Sequence, residues 1–193
     1  GIRNVNQLIT RVESEEELFR GVCEILIRDI AYKFCWIGLI QEGSFDLKRI
    51  STAGIGEDIS ELKVRWDNSE LGKGVIGRAI KTGDPQMSKQ IGKNALFRPW
   101  WKFAQKIGYQ STCALPLKVD GQVIGTLNIH SEHINVFKDE EMDLLEEVAS
   151  DISFALKVLR DRKKQRQAEQ EKKELEARLW QSQKMEAIGA LAG

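Results

Sequence analysis

The sequence predicts an α+β fold: a central antiparallel sheet of five to six strands with helices packed on one face, followed by a long C-terminal coiled-coil helix. Three observations predict it. A capped helix precedes a short apolar strand, and an Asp-Gly pair joins two further apolar strands. A charged run without proline or glycine then follows the last of these elements, and 193 residues suffice for one domain plus such an extension.

Two helices are predicted at the start of the chain. Residues 1–12 have apolar side chains three and four positions apart, which indicates a linker helix with a heptad-like seam of Ile2, Val5, Ile9 and Val12. Ser14 and Glu17 form a capping-box pattern, so a second helix follows Ser14. We expect the folded domain to begin with this helix and to cover residues 13–156.

Short strands and a short helix follow. The apolar run Phe34–Gln41 is rich in β-formers and predicts a buried strand, with 46–53 as its partner. Residues 74–82 predict a helix ended by Gly83, and 85–88 predict a further short strand.

A polar and aromatic stretch, residues 91–109, precedes the clearest hairpin. We place its Phe-Arg-Pro-Trp-Trp run, residues 97–101, outside regular structure, while 100–107 have helical character. The hairpin pairs 111–119 with 122–131 through Asp120-Gly121, since this dipeptide tolerates the left-handed dihedrals of a type I′ turn.

A long helix is predicted from Lys138 onwards. Its apolar residues keep heptad spacing at Leu145, Val148, Ile152 and Leu159, and an apolar face returns at Leu175 and Leu179. Between them, residues 160–174 contain no apolar side chain larger than alanine. A single helix of that polarity is poorly supported, so we expect a parallel coiled coil in a homodimer.

Composition narrows the possible partners. The chain has 29 basic and 29 acidic residues and no long apolar run, so neither nucleic-acid binding nor direct membrane contact is expected. Its three cysteines form no paired motif, which favours a reduced cytoplasmic setting. A chain that starts with glycine rather than methionine is expected to be a piece of a longer protein.

Residues 13–156 resemble a GAF domain. The resemblance is carried, in order, by Leu71–Gly77, Thr82–Pro85, Ser111–Leu117, Gly121 with Ile124–Leu127, and Phe137 with Asp139–Glu141. It implies a small-ligand pocket between the sheet and the helices and loops that cover it.

Residues 180–193 resemble the start of the dimerisation and phosphotransfer helix of bacterial sensor histidine kinases. This resemblance implies that 157–193 form a signalling helix that leads into a kinase core in cis, with a response regulator downstream. The parent would then belong to a two-component phosphorelay, and this chain would be its sensory input module and not itself an enzyme.

The candidate pocket residues are the aromatic side chains of the expected cover and three polar or thiol groups: Trp36, Phe97, Arg98, Trp100, Trp101, Tyr109, Cys113 and Asn128. The aromatic residues can line a ligand site or simply fill a core. Two adjacent tryptophans are not expected to point inward together. Ile129 stands where the cyclic-nucleotide-binding members of the family have lysine, which weakens that ligand class.

Catalytic and metal-binding groups are not expected. His130 and His133 are interpreted as polar residues at a strand end, and Cys113 as a core residue. The glycine run from Gly72 to Gly77 is interpreted as helix entry and close packing, since it lacks a phosphate-loop ending. No cofactor is therefore expected. Two alternatives stay open: a ligand-free dimerisation spacer, and a haem or redox sensor that uses Cys113 or His130.

Overall fold

The computed structural model describes residues 2–54, 59 and 61–193. One five-stranded antiparallel sheet has the strand order β2-β1-β5-β4-β3, which makes β5 the central strand. The elements are α1 (Ile2–Ile9), α2 (Glu15–Ile30), β1 (Phe34–Ile40), β2 (Leu47–Ala53), α3 (Val75–Thr82), β3 (Gln86–Ser88), α4 (Trp101–Ile107), β4 (Ser111–Val119), β5 (Gln122–Ser131) and α5 (Asp139–Ala192). The predicted α+β class, the antiparallel sheet and the long C-terminal helix are confirmed.

Local signals in the sequence set several boundaries. The Glu17 N–H donates to Ser14 Oγ at 3.2 Å, which confirms the N-cap of α2. The α3 helix ends at Gly83 and α4 at Gly108, both in the left-handed conformation. Asp120 and Gly121 have φ values of 52° and 76°, as a type I′ turn between β4 and β5 requires.

Helices cover both faces of the sheet, whereas the sequence predicted helices on one face. The α2 helix packs on the face that carries Cys35, whose Sγ–H donates to the Cys23 carbonyl at 3.4 Å. The α3 helix and residues 91–109, called the aromatic segment below, share an apolar cluster with Phe34 and Trp36 on the opposite face. The physical reason is that β1 is buried on both sides, so each face of its apolar run needs its own covering layer.

The aromatic segment is more regular than predicted. Residues Ala95–Trp100 form a 3₁₀ helix that runs directly into α4. The side chain of Asn94 caps it by accepting the Leu96 N–H at 3.1 Å. Asparagine is a preferred helix cap, so this start signal was present in the sequence.

The chain divides into two compact units, Gly1–Leu156 and Lys157–Gly193. Half of the predicted seam residues are buried inside the first unit: Val5, Val12, Leu145, Val148 and Ile152 are each at most 9% exposed. These side chains therefore form the core of the domain and are not free to face a second copy, which corrects the predicted seam.

The other predicted seam residues lie elsewhere. Ile9 and Leu159 are half-buried, and the side chain of Ile2 lies outside the described residues. In the second unit, Leu175 and Leu179 are exposed. No helix in the described part of the chain combines the length and the apolar character needed to cross a membrane.

Candidate ligand pocket

A small cavity lies between the sheet and its aromatic cover. Its volume is about 20 Å³, measured as the space that the centres of water molecules can occupy. That is room for one or two water molecules. Its apolar walls come from an irregular loop, from α3 and from the aromatic segment: Leu62, Val64, Val75, Ile76, Phe97 and Trp100.

Glycines let α3 approach this cavity closely. A Cβ atom on Gly72 would lie 1.9 Å from the Asp67 carbonyl oxygen, and one on Gly77 would lie 2.3 Å from the Gly72 carbonyl oxygen. A Cβ on Gly74 would lie 2.7 Å from Cη2 of Trp100. These distances agree with the interpretation of the glycine run as close packing, because each glycine meets protein where a side chain would clash.

The two adjacent tryptophans are both anchored to the backbone. The Trp100 indole N–H donates to the Lys63 carbonyl at 2.8 Å, and the Trp101 indole N–H donates to the Ile91 carbonyl at 3.2 Å. Trp100 is buried and lines the cavity, while Trp101 is half-buried and lines a separate outer groove. One tryptophan therefore points inward, as the sequence predicted.

His130 lies on the floor of the cavity. Its ring stacks on Phe34 with centroids 3.9 Å apart and meets Tyr109 edge-on at 4.6 Å. The Trp36 indole N–H donates to Nε2 of His130 at 3.2 Å, so the ring proton is assigned to Nδ1. Nδ1 is buried and has no hydrogen-bond partner among the described residues. Burial lowers the pKa of His130 to about 3, which keeps the ring neutral.

The structure brings together only part of the predicted site. Phe97, Trp100 and Tyr109 line the cavity. Trp36 and Asn128 lie on the same face of the sheet, opposite each other on β1 and β5, but do not line the cavity. The Asn128 amide donates to the carbonyls of Trp36 and Thr126, both at 3.3 Å.

Two predicted residues lie away from the cavity. Arg98 is exposed on the 3₁₀ helix. Cys113 follows Thr112 on β4, so its side chain points to the opposite face of the sheet. Burial, and then the charge of Glu141 at the start of α5, raise the pKa of the Cys113 thiol. Cys113 thus belongs to the core on the α5 side and not to the pocket wall.

His130 and Thr112 are polar residues of the cavity wall that were not predicted from the sequence to line the pocket. The signal for His130 was present, because Thr126, Asn128 and His130 alternate with apolar residues along β5 and therefore share one face. That alternation was masked by the apolar character of the strand as a whole. Among residues 2–54, 59 and 61–193 no cluster of side chains is suited to hold a metal ion.

Comparison with solved structures finds the same fold in several other proteins. The free methionine-R-sulfoxide reductase of Neisseria meningitidis, solved with its substrate, is 18% identical with a TM-score of 0.70, covering 83% of this chain and 88% of that chain. The nlh2 GAF domain of A. aeolicus, in an inactive state, is 19% identical with a TM-score of 0.62, covering 81% and 93%.

A third structure is a methyl-accepting chemotaxis protein, residues 122 to 287, at 17% identity and a TM-score of 0.64, covering 80% of this chain and 96% of that chain. At these identities the likeness shows the fold alone.

No curated protein matches the chain. The sequence model of the GAF domain matches residues 12–157, which is well over half of the chain. The chain therefore belongs to the GAF domain family.

Proposed function

We propose that this chain is the sensory input module of a cytoplasmic two-component histidine kinase, and that it responds to a small molecule bound in the cavity. One observation carries the proposal: an apolar cavity lined by His130, whose buried ring N–H has no partner among the described residues. Buried polar groups are nearly always paired in folded proteins, and an unpaired one at a cavity is typical of a binding site.

The sheet provides a route from the cavity to α5. His130 faces the cavity from β5, and the sheet is linked to α5 at two places. The Lys118 N–H of β4 donates to Ser153 Oγ at 3.0 Å. Just before β1, the Tyr32 hydroxyl donates to the Glu141 carboxylate. A ligand that shifts β5 therefore acts on a sheet that is bonded to α5 through β4 and, just before β1, through Tyr32.

The kinase context rests on the second unit. Residues 180–193 resemble the approach to a phosphotransfer helix, so we propose a kinase core in cis and a response regulator downstream. Residues 157–193 are helical up to Ala192, and their exposed leucines suit a coiled coil in a homodimer. The fold that the chain shares with a chemotaxis protein is consistent with a sensory role.

Cysteine crosslinking tests transmission along the helix. Single cysteines at Gln165, Ala168 and Lys172 should crosslink between the two copies at rates that change when ligand is removed, because the polar stretch specifies its register only weakly. Native mass spectrometry of freshly purified protein reports the ligand and the dimer in the same measurement. Crosslinking rates that are the same in ligand-bound and ligand-free protein would contradict the proposal that the signal is transmitted by movement of the helix.

A ligand-free spacer is the second candidate, favoured by the small cavity of about 20 Å³. Native mass spectrometry separates the two, since a spacer should have only the mass of the chain. A haem sensor is a weaker alternative, because Nε2 of His130 is already bonded to Trp36 and Cys113 lies on the opposite face. A Soret band after haem reconstitution that is lost in His130→Ala would support it.

We propose a regulatory domain and not a reductase, although the structural neighbours include free methionine-R-sulfoxide reductases. Thiol chemistry on a sulfoxide needs an accessible thiolate near the substrate. Cys23, Cys35 and Cys113 are all buried, and none of them lines the cavity. The hydrogen bond to Cys23 and then burial raise the pKa of the Cys35 thiol, and burial raises the pKa of the Cys113 thiol, which disfavours both thiolates.

A further inference from the structure

The outer groove beside Trp101 has room for an organic molecule. It lies between residues 90–92 and one side of α4, and its volume is about 520 Å³, measured in the same way as that of the inner cavity. Volumes of this size are ordinary for ligand sites. Except for Tyr109, the described lining residues differ from those of the inner cavity, so the groove is a separate site.

Trp101 gives the groove a flat apolar wall. Its indole N–H donates to the Ile91 carbonyl at 3.2 Å, and part of the ring packs against the buried apolar cluster. These two contacts fix the orientation of the ring. Because Trp101 is only half-buried, the rest of its ring is open to the groove. An aromatic surface held in this way is suited to stack on a flat ring of a ligand.

Glutamine side chains supply the polar part of the lining. Gln90, Gln105 and Gln110 all line the groove, and Nε2 of Gln110 is positioned by donating to the Glu132 carbonyl at 2.9 Å. A glutamine amide has both donor and acceptor atoms, so it bonds to the heteroatoms of a ring in either sense. The described lining residues themselves are uncharged.

Lysines flank the groove. Residues 85–119 contain six basic residues and no acidic residue, although the whole chain has 29 of each, so the positive charge is concentrated in this part of the domain. Three flanking lysines, Lys89, Lys93 and Lys102, each stand next in the chain to a lining residue. All three are exposed and have no ion pair in the described part of the chain. Their long, flexible stems allow the ammonium groups to reach a ligand in the groove.

The acidic side chains of Glu61 and Glu132 do not cancel this charge. Glu61 pairs with Lys106 at 3.5 Å, and Glu132 pairs with Lys33 at 3.5 Å, so each is balanced by a lysine of its own. The charge of the three flanking lysines is therefore left to attract an anion.

We propose that the outer groove binds a small organic anion, whose flat ring stacks on Trp101 and whose carboxylate or phosphate is bound by the flanking lysines. The glutamine amides then bond to heteroatoms of the ring. Because the groove is separate from the inner cavity, this binding is independent of the proposed ligand-sensing function. Salt screens exposed lysines, so the affinity for the anion should fall as ionic strength rises.

Matched probes separate the two parts of the ligand. AMP and indole-3-acetate are the anions, one with a phosphate and one with a carboxylate, and adenosine and indole-3-acetamide are their uncharged counterparts. In protein labelled with ¹⁵N at tryptophan, the indole N–H resonance of Trp101, assigned with Trp101→Phe, reports binding. At least one anion should bind about fivefold more tightly than its counterpart and lose this advantage at high salt.

The anion that binds more tightly shows whether the lysines favour phosphate or carboxylate, and either result supports the proposal. Counterparts that bind as tightly as their anions would overturn it, and so would a lack of binding by both anions. Inorganic phosphate and acetate have no ring and should bind more weakly than AMP and indole-3-acetate. Equal binding with and without the ring would contradict the role of Trp101 and overturn the proposal.

Charge variants test the lysines. Lys93→Gln combined with Lys102→Gln should weaken binding of the anionic probe about tenfold and leave binding of its uncharged counterpart unchanged. Arg98→Gln is the matched control, because Arg98 is an exposed basic residue of the same segment whose chain neighbours do not line the groove. It should keep the wild-type affinity. A double lysine variant that binds the anion like the wild type would contradict the proposal.

Two measurements test the stacking. Trp101→Leu keeps an apolar side chain without the flat ring, so it should weaken AMP binding several-fold, followed through the resonances of the ligand, and leave inorganic phosphate binding unchanged. If this variant does not fold, the wild-type protein still gives the answer. The ring protons of the bound probe should move upfield because they lie over the indole, and ring protons that do not move on binding would overturn the proposal.

Discussion

His130 makes the stability of the domain depend on pH in a defined direction. The pKa of His130 is about 3 in the folded chain, against about 6.5 for an unperturbed histidine. Between these values the unfolded chain binds a proton that the folded chain does not, so stability is full above pH 6.5 and falls as pH falls towards 3. The slope approaches about 1.4 kcal/mol per pH unit in this window.

Urea unfolding between pH 7 and pH 5 measures this slope, above the range in which most carboxylates titrate. His130→Phe should flatten the dependence, because the variant has no ring to protonate. His133→Gln changes an exposed histidine and should keep the wild-type dependence, because His130 is retained. A wild-type slope that persists in His130→Phe would show that another group causes it.

Tyr32 connects the end of α2 to the start of α5. It is buried, its hydroxyl donates to the Glu141 carboxylate, and its ring stacks on Phe137 at 5.9 Å. Tyr32→Phe keeps the stacking but leaves the half-buried carboxylate without this donor, so we expect a loss of about 1–3 kcal/mol in the free energy of unfolding.

Tyr109→Phe is the control, because the described residues offer its hydroxyl no hydrogen bond. Urea denaturation of both variants should give a clearly larger loss for Tyr32→Phe. Equal losses would mean that the Tyr32 hydrogen bond contributes nothing measurable.

The roles of single residues were predicted well where they depend on neighbours in the sequence. They were predicted poorly where they depend on contacts with distant parts of the chain. Ser14 and Gly83 follow capping rules that depend on nearby residues only. The burial of His130 depends on Phe34, Trp36 and Tyr109, which come from distant parts of the chain. Cys113 was misplaced for the same reason, because a strand buried on both faces hides which side each residue takes.

At the scale of elements, the entry to α3 depends on glycine. A Cβ on Gly77 would lie 2.3 Å from the Gly72 carbonyl oxygen and 2.7 Å from the Arg65 carbonyl oxygen, and both are backbone atoms. Gly77→Ala should therefore move α3 away from the loop and destabilise the domain by about 2 kcal/mol or more. In Gly92→Ala the added Cβ meets no atom within 4 Å, so this variant should change stability by less than about 0.5 kcal/mol.

Thermal and urea unfolding of these two variants distinguish packing from phosphate binding as the role of the glycine run. A stable Gly77→Ala protein would mean that the loop yields easily and that close packing is not the reason for glycine.

The helices and strands themselves were largely predictable, since periodicity, caps and the Asp120-Gly121 turn are local signals. The 3₁₀ helix Ala95–Trp100 was missed because proline and two tryptophans obscured the Asn94 cap.

At the scale of the whole molecule, the two compact units differ in how their apolar residues are used. In Gly1–Leu156 the heptad-spaced residues Leu145, Val148 and Ile152 are buried and belong to the core of the unit. Heptad spacing alone does not tell a helix seam from a domain core, because both need an apolar stripe of the same period. The prediction of a seam there was wrong for this reason.

In Lys157–Gly193 the apolar residues have no such partner. Leu175 and Leu179 are 67% and 58% exposed, and residues 161–174 are exposed throughout. We expect Leu175→Gln combined with Leu179→Gln to weaken dimerisation at least a hundredfold, because each leucine contributes about 1.5–3 kcal/mol when it is buried between helices. Sedimentation velocity over a range of protein concentrations measures this change.

The matched control changes the acidic neighbours instead: Glu174→Gln combined with Glu176→Gln keeps both leucines and should keep the dimer. Urea unfolding of the first unit should be the same in both double variants, since its core lies within Gly1–Leu156. Helicity at 222 nm should fall only in the leucine variant, because a long polar helix is poorly stable without a partner. A leucine variant that sediments like the wild type would place the dimer contact elsewhere, and a wild type that is monomeric at high concentration would remove the coiled coil from the proposed mechanism.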